Sequence, residues 1–135
     1  KSRDTLIRLK RFQVDEKRRR VAQIEMMIAD FERMAADLEA EIASEEQKAG
    51  ITDTGHFAYP TYAKAAAQRR ENLLQSAANL KGELDDAKAE LAEAFEELKK
   101  VEILDDRERN SERAAAGARE QAALDEIALS RTARG

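Results

Sequence analysis

The sequence contains no cysteine and no tryptophan, a single proline, a single histidine and only 4% aromatic residues. Each scarcity removes a class of explanation. Without cysteine there is no disulfide, no thiolate metal site and no cysteine nucleophile; this fits a reducing compartment, and cytoplasmic residence is expected. A lone His56 cannot build a metal site or a catalytic triad, and no glycine-rich phosphate loop is present. Carboxylates spread along open helices lack the cleft that would shift their pKa values, so the chain reads as non-enzymatic and without a cofactor. No stretch approaches the ~20 apolar residues that a bilayer crossing needs, and the opening KSRDTLIRLKRF breaks its apolar pairs with charge, so neither direct membrane insertion nor a secretion signal is expected. What remains is 39% charged. That is not the makeup of a packed globule, and it reads as elongated and helix-rich.

What the chain does have is periodicity. The stretch VAQIEMMIADFERMAADLEAEI sets Val21, Ile24, Ile28, Phe31, Ala35, Leu38 and Ile42 on alternating three- and four-residue steps, and the same comb runs back to Val14 and Ile7. A second comb runs through Leu73, Ala77, Leu80, Leu84, Ala87, Leu91, Ala94, Leu98, Val101 and Leu104, its final step being three rather than four. Between them GITDTGHFAYPT holds the only proline, two of the five glycines and a cluster of Asp and Thr. Gly50 can close a helix in the left-handed conformation, and Pro60 suits a first helical turn.

These signals predict an all-α fold, a long antiparallel two-helix coiled-coil hairpin forming a single domain over 1–135. The helices span about 3–49 and about 61–130, with a turn at about 50–60. If the turn is centred near residue 55, facing residues have numbers that add to roughly 110, which sets Leu6 and Ile7 beside Ile103 and Leu104. The first helix is then roughly 70 Å long, and the second overshoots it by about 25 residues.

Three features compete for a functional reading. The formal net charge of −4 hides a basic start, where KRFQVDEKRRR carries Lys10, Arg11, Lys17, Arg18, Arg19 and Arg20. Lys10 and Lys17 fall on the seam itself. In the plainer reading these cations face Glu96, Glu97, Glu102, Asp105 and Asp106 of the returning helix, their stems covering apolar surface. In the functional reading this looser end is gripped by a partner. An RNA-binding arm is a third possibility, but Asp15 and Glu16 interrupt the tract and only Phe12 is interleaved with it, so no nucleic acid is expected. At the turn, Phe57 and Tyr62 close over the hairpin end, or Phe57, Tyr59 and Tyr62 form an anchor patch for a partner; His56 reads as a solvated loop residue. The tail RAAAGAREQAALDEIALSRTARG, with Gly117 and a sparse stripe of Ala118, Leu124, Ile127 and Ala128, should fray alone and gain order from a partner. Met27 and Met34, beside the seam, leave self-association open.

The stretch TLIRLKRFQVDEKRRRVAQIE, the aromatic turn and the later AFEELKKVEILDDRERNSER together resemble the flagellar FliJ family, the small coiled-coil component of the type III export machinery, over nearly the whole chain. The resemblance implies a rod similar to the central-stalk gamma subunit of rotary ATPases, entering the pore of the hexameric export ATPase FliI. It also implies contacts with the export gate FlhA and with export chaperones, and a peripheral place at the inner-membrane base of the flagellum. On that basis the ATPase-contact candidates are Leu6, Arg8, Leu9, Arg11, Phe12 and Arg18 at the open end, with Leu124 and Ile127 on the overshooting helix. The gate or chaperone candidates are Phe57, Tyr59 and Tyr62. A generic coiled-coil adaptor or an RNA-binding helical arm, without an ATPase partner, is the alternative.

Overall fold

The computed structural model describes residues 2–134. Two helices, α1 (Ser2–Ala49, 48 residues) and α2 (Thr61–Arg134, 74 residues), pack antiparallel as an all-α hairpin. Both are built largely from alanine, leucine, glutamate, lysine and arginine, which lose little rotamer freedom on becoming helical. Isolated helices are nevertheless marginal in water, so the apolar seam must supply the remaining stability.

The connection shows how the chain reverses. Gly50 takes φ 71°, its N–H donates to the Gln47 carbonyl at 3.3 Å, and the Ile51 N–H reaches back to the Glu46 carbonyl at 3.2 Å. This pair of bonds closes α1 in a Schellman arrangement and satisfies its last carbonyls. Asp53 then organises the turn: its Oδ1 accepts from the Gly55 N–H at 3.0 Å, and its carbonyl accepts from the His56 N–H at 3.1 Å. The Pro60 carbonyl accepts the first bond of α2, from the Lys64 N–H at 3.1 Å. Pro60 is therefore the N-cap, one position ahead of the first-turn place expected from the sequence.

The chain divides into two compact units, Val14–Glu93 and Lys1–Gln13 with Ala94–Gly135. In the first, α1 buries Val14, Ile24, Ile28, Ala35 and Ile42, and α2 buries Ala63, Ala66, Ala77 and Ala87. Its centre is a cluster of Ile24, Ile28, Ala77 and Ala87, with Val21, Phe31, Leu80 and Leu84 packed against it. Branched residues on one helix thus meet alanines on the other, which permits close approach while keeping the layer filled. Burying an isoleucine here is worth on the order of 1.5–3 kcal/mol. Ion pairs flank the seam, Lys17 with Glu90 at 3.7 Å, Lys81 with Glu32 at 3.7 Å, and Arg70 with Glu39. Their partner numbers add to about 110, the expected register.

In the second unit the apolar seam consists of Ile7 from α1 with Ala94 and Leu98 from α2. Here one expectation is corrected. Leu104 is exposed, as is its neighbour Ile103, and the buried position is taken by Asp105 at 8% exposure. The reason is geometric: the seven-residue repeat Ala77, Leu84, Leu91, Leu98 lands on Asp105, whereas a second consecutive three-residue step to Leu104 turns that side chain off the seam. From residue 106 to residue 134 every position of α2 is exposed, yet the helix continues. The tail expected to fray is helical. Alanine-rich composition, the Gln121–Asp125 hydrogen bond of 2.9 Å and the basic last turn with Arg131 and Arg134 all favour it.

Candidate partner-binding surfaces

The open end is defined by charge. Arg3, seven residues before Lys10, occupies the seam position that sequence reasoning passed over. Its Nη1 donates to Glu108 Oε2 at 2.6 Å and its Nη2 to Glu112 Oε1 at 3.2 Å, and its Nε lies 3.4 Å from Asp105 Oδ1. Arg109 Nε donates to Asp105 Oδ2 at 2.9 Å, and its Nη2 donates to Asp4 Oδ1 at 3.1 Å. Lys10 Nζ donates to Glu97 Oε2 at 3.1 Å, and Arg11 Nη2 to Glu102 Oε2 at 3.3 Å. Burial works against the charged form of Arg3, but Glu112, Glu108 and Asp105 together raise its pKa above the usual value. The hydrogen bond and charge of Asp105, then Asp4, do the same for Arg109.

Around this network the predicted contact residues are accessible. Leu6, Leu9 and Phe12 are exposed apolar side chains on α1, and Arg8 is exposed without an ion pair among the described residues. Arg11 is exposed but engaged with Glu102. Arg18 belongs to the Val14–Glu93 unit and lies 4.0 Å from Asp15. Of the acidic partners anticipated for the basic tract, Glu97 and Glu102 are used; Asp105 is taken by Arg3 and Arg109, and Lys17 and Arg20 meet Glu90 and Glu83 instead.

Leu124 and Ile127 stand exposed on the overshooting part of α2, joined by Leu129. The apolar residues of this segment are not gathered on one face. Ala115, Ala118, Ala122 and Leu129 follow one line of three-, four- and seven-residue steps, while Ala116, Ala123 and Ile127 follow another. A helix thinly apolar around its circumference suits contact from several sides more than a seat on one flat surface.

At the turn the three aromatics part company. Tyr59 is buried, and its hydroxyl donates to Glu46 Oε2 at 3.0 Å. Tyr62 is half exposed, its hydroxyl donating to Glu41 Oε2 at 2.7 Å. Phe57 is 96% exposed, its ring stacked on His56 at 4.7 Å between centroids. The loop holds it there: the Ala58 N–H donates to His56 Nδ1 at 3.0 Å, and the Tyr59 N–H donates to the His56 carbonyl at 3.0 Å. So the cap is Tyr59, and not Phe57 with Tyr62. Both tyrosine pKa values are raised, Tyr59 by burial first and then by Glu46, Tyr62 by its hydrogen bond to Glu41 first.

Among the described residues no group of three or more His, Cys, Asp or Glu could hold a metal ion, and no helix is long and apolar enough to cross a membrane. Two antiparallel helices, an ion-paired open end, an exposed helical extension and one presented aromatic define a coiled-coil protein whose usable features are contact surfaces. The family model described as flagellar FliJ protein matches residues 3–135, and the chain belongs to that family, whose members are components of the flagellar type III export apparatus. No curated protein and no solved structure matches the chain.

Proposed function

We propose that the protein is a non-enzymatic, stalk-like partner and regulator of the hexameric export ATPase, and that it links this ATPase to the export gate and export chaperones on the cytoplasmic side of the flagellar base. The observation that carries the reading is the extension of α2 over residues 106–134, helical and exposed throughout, which meets α1 only through the ion pairs of Glu108, Arg109 and Glu112 and past Glu112 is not ion-paired to it. A long helix exposing small apolar residues on several sides fits the central channel of a ring, where subunits approach from all directions. The adjoining exposed Leu6, Leu9 and Phe12, with the free cation Arg8, give the same end an apolar face and a positive field suited to acidic and apolar pore loops. An RNA-binding role draws less support, because Arg3, Lys10, Arg11, Lys17 and Arg20 are already engaged with carboxylates of α2. At the turn, Phe57 is the natural anchor for a gate or chaperone contact.

The test is stimulation of the hexameric export ATPase by the intact chain and by a chain ending near residue 110. The truncated protein keeps its buried seam, which ends at Asp105, and should keep its helicity while losing most of the stimulation. Arg8→Glu in the intact chain should reduce stimulation further at low salt than at high salt, since screening acts on exposed charge. Equal stimulation by intact and truncated chains would reject the stalk reading of this end.

A further inference from the structure

The buried side chains are unevenly distributed along α1. Residues 14–49 bury Val14, Ile24, Ile28, Ala35 and Ile42, whereas residues 2–13 bury only Ile7. The two seam positions flanking Ile7 are Arg3 and Lys10, which meet α2 through carboxylates. Opposite them the seam of α2 ends on Asp105, whose Oδ1 is the one buried side-chain nitrogen or oxygen among the described residues that has no hydrogen bond, being held only by the ion pair with Arg3. Exposed ion pairs contribute little and are screened by salt, whereas apolar burial is insensitive to salt at moderate concentration. The beginning of α1 is therefore held by a weaker and different kind of force than the rest.

From this we infer that residues 2–13 form an electrostatic latch: they detach from α2 as a unit while the remainder of the hairpin stays closed. Local opening of this kind is expected where few apolar contacts and many solvated pairs coincide. Opening uncovers Leu98, Val101 and Asp105 and joins them to the already exposed residues 106–134, so the accessible length of α2 grows by about two turns. The carboxylates released with them, Glu97, Glu102, Glu108 and Glu112, make this newly exposed face complementary to a basic amphipathic helix, which is the chemistry that α1 itself brings to it. The latch stands on geometry within the chain and does not depend on the ATPase reading.

Because the chain has no cysteine, spin labels on introduced cysteines report the latch directly. One pair replaces the exposed Leu6 and Leu104, and a control pair replaces the exposed Glu25 and Lys88. For the first pair the distance distribution should show a short and a long population, the long one growing about threefold or more between low salt and ~1 M, where the screening length falls to about 3 Å. The control pair should not change. Asp105→Asn should raise the long population at low salt. Asp105→Leu, which extends the apolar seam while leaving Arg3 its partners Glu108 and Glu112, should abolish it. A single population at both salts, a parallel change in the control pair, or an Asp105→Leu chain that opens more readily would each overturn the latch.

Discussion

Arg3 and Asp105 meet across the hairpin with Nε 3.4 Å from Oδ1, and the carboxylate is the buried member of the pair. The seam thus terminates on a charge, and the leucine that follows Leu98 by six residues is not its last member. A pair of substitutions separates the two registers. Leu98→Ala should cost about 2 kcal/mol, at the low end for large-to-small core changes because a two-helix seam can partly collapse. Leu104→Ala should stay within about 0.5 kcal/mol. Chemical denaturation measures both, and a larger loss at Leu104 would restore the register read from the sequence.

Lys10 and Lys17 occupy seam positions where Ile24 and Phe31 sit further along α1. Their ammonium groups reach Glu97 and Glu90 across the interface, contacts that at this exposure contribute at most about 1 kcal/mol each. Filling the same positions with leucine buries apolar area that lysine covers only with its stem. Lys10→Leu with Lys17→Leu should raise the thermal midpoint by several degrees, consistent with a gain of roughly 1–2 kcal/mol. A fall in the midpoint would mean that the ion pairs outweigh the seam at this end.

The hairpin was legible because its signals are local and repetitive. Seven-residue spacing identifies the seam, Gly50 marks the end of α1, and the register follows once the turn is centred. What escaped reading depends on neighbours. Ala63 and Ala66 are buried at the start of α2, but alanine carries no hydrophobic contrast in an alanine-rich stretch. Arg3 as a seam residue is announced only by its seven-residue offset from Lys10, and a cation seldom counts as a seam member. The three turn aromatics are equivalent by composition; which one is buried is decided by the loop hydrogen bonds around Asp53 and His56. The overshoot of α2 is legible in the sequence to about residue 130, but its end is expected to fray alone, because the seam argument stops where the partner helix stops while alanine propensity does not.

Those turn aromatics give a prediction with opposite signs for stability and binding. Tyr59→Ser removes a buried ring and its bond to Glu46, and should cost about 2 kcal/mol of stability. Phe57→Ser removes a ring that touches little besides His56, so it should leave stability within about 0.5 kcal/mol while weakening the gate or chaperone contact proposed for the turn. Thermal melts combined with pull-down of gate and chaperone proteins check both. If Phe57→Ser melts early and binds normally, the ring is structural and the anchor lies elsewhere.

The same two tyrosines predict a loss of stability in alkali. Tyr59 is raised by burial and by Glu46, and Tyr62 by its bond to Glu41 and that residue's charge. A group whose folded pKa is raised stabilises the fold below its unfolded value and ceases to do so as pH rises through the folded value. For a phenol the unfolded value is about 10, so the contribution is complete at neutral pH and lost in the alkaline range above that. Ultraviolet titration should show both tyrosinates forming later in the native protein than in urea. Glu41→Gln should bring Tyr62 back toward its ordinary value and leave Tyr59 in place.

The seam is closed within one chain in this structure, and a seam of this length could also be satisfied between two chains. Met26, Met27 and Met34 are exposed on α1 and offer a second hairpin something to bury, so the two arrangements call for direct separation. Ile24 and Ala87 lie in one buried cluster, and a disulfide forms without backbone movement only when the α-carbons are within about 7 Å. With no native cysteine to interfere, Ile24→Cys with Ala87→Cys should oxidise to a crosslinked monomer whose yield does not fall on dilution. A dimer held by the methionine face would appear in addition, on top of the intrachain bond, and would dissociate in dilute solution. Crosslinking found only between chains, with a yield that drops as the protein is diluted, would show that each seam is filled by another molecule, and the hairpin would have to be redrawn as an intermolecular bundle.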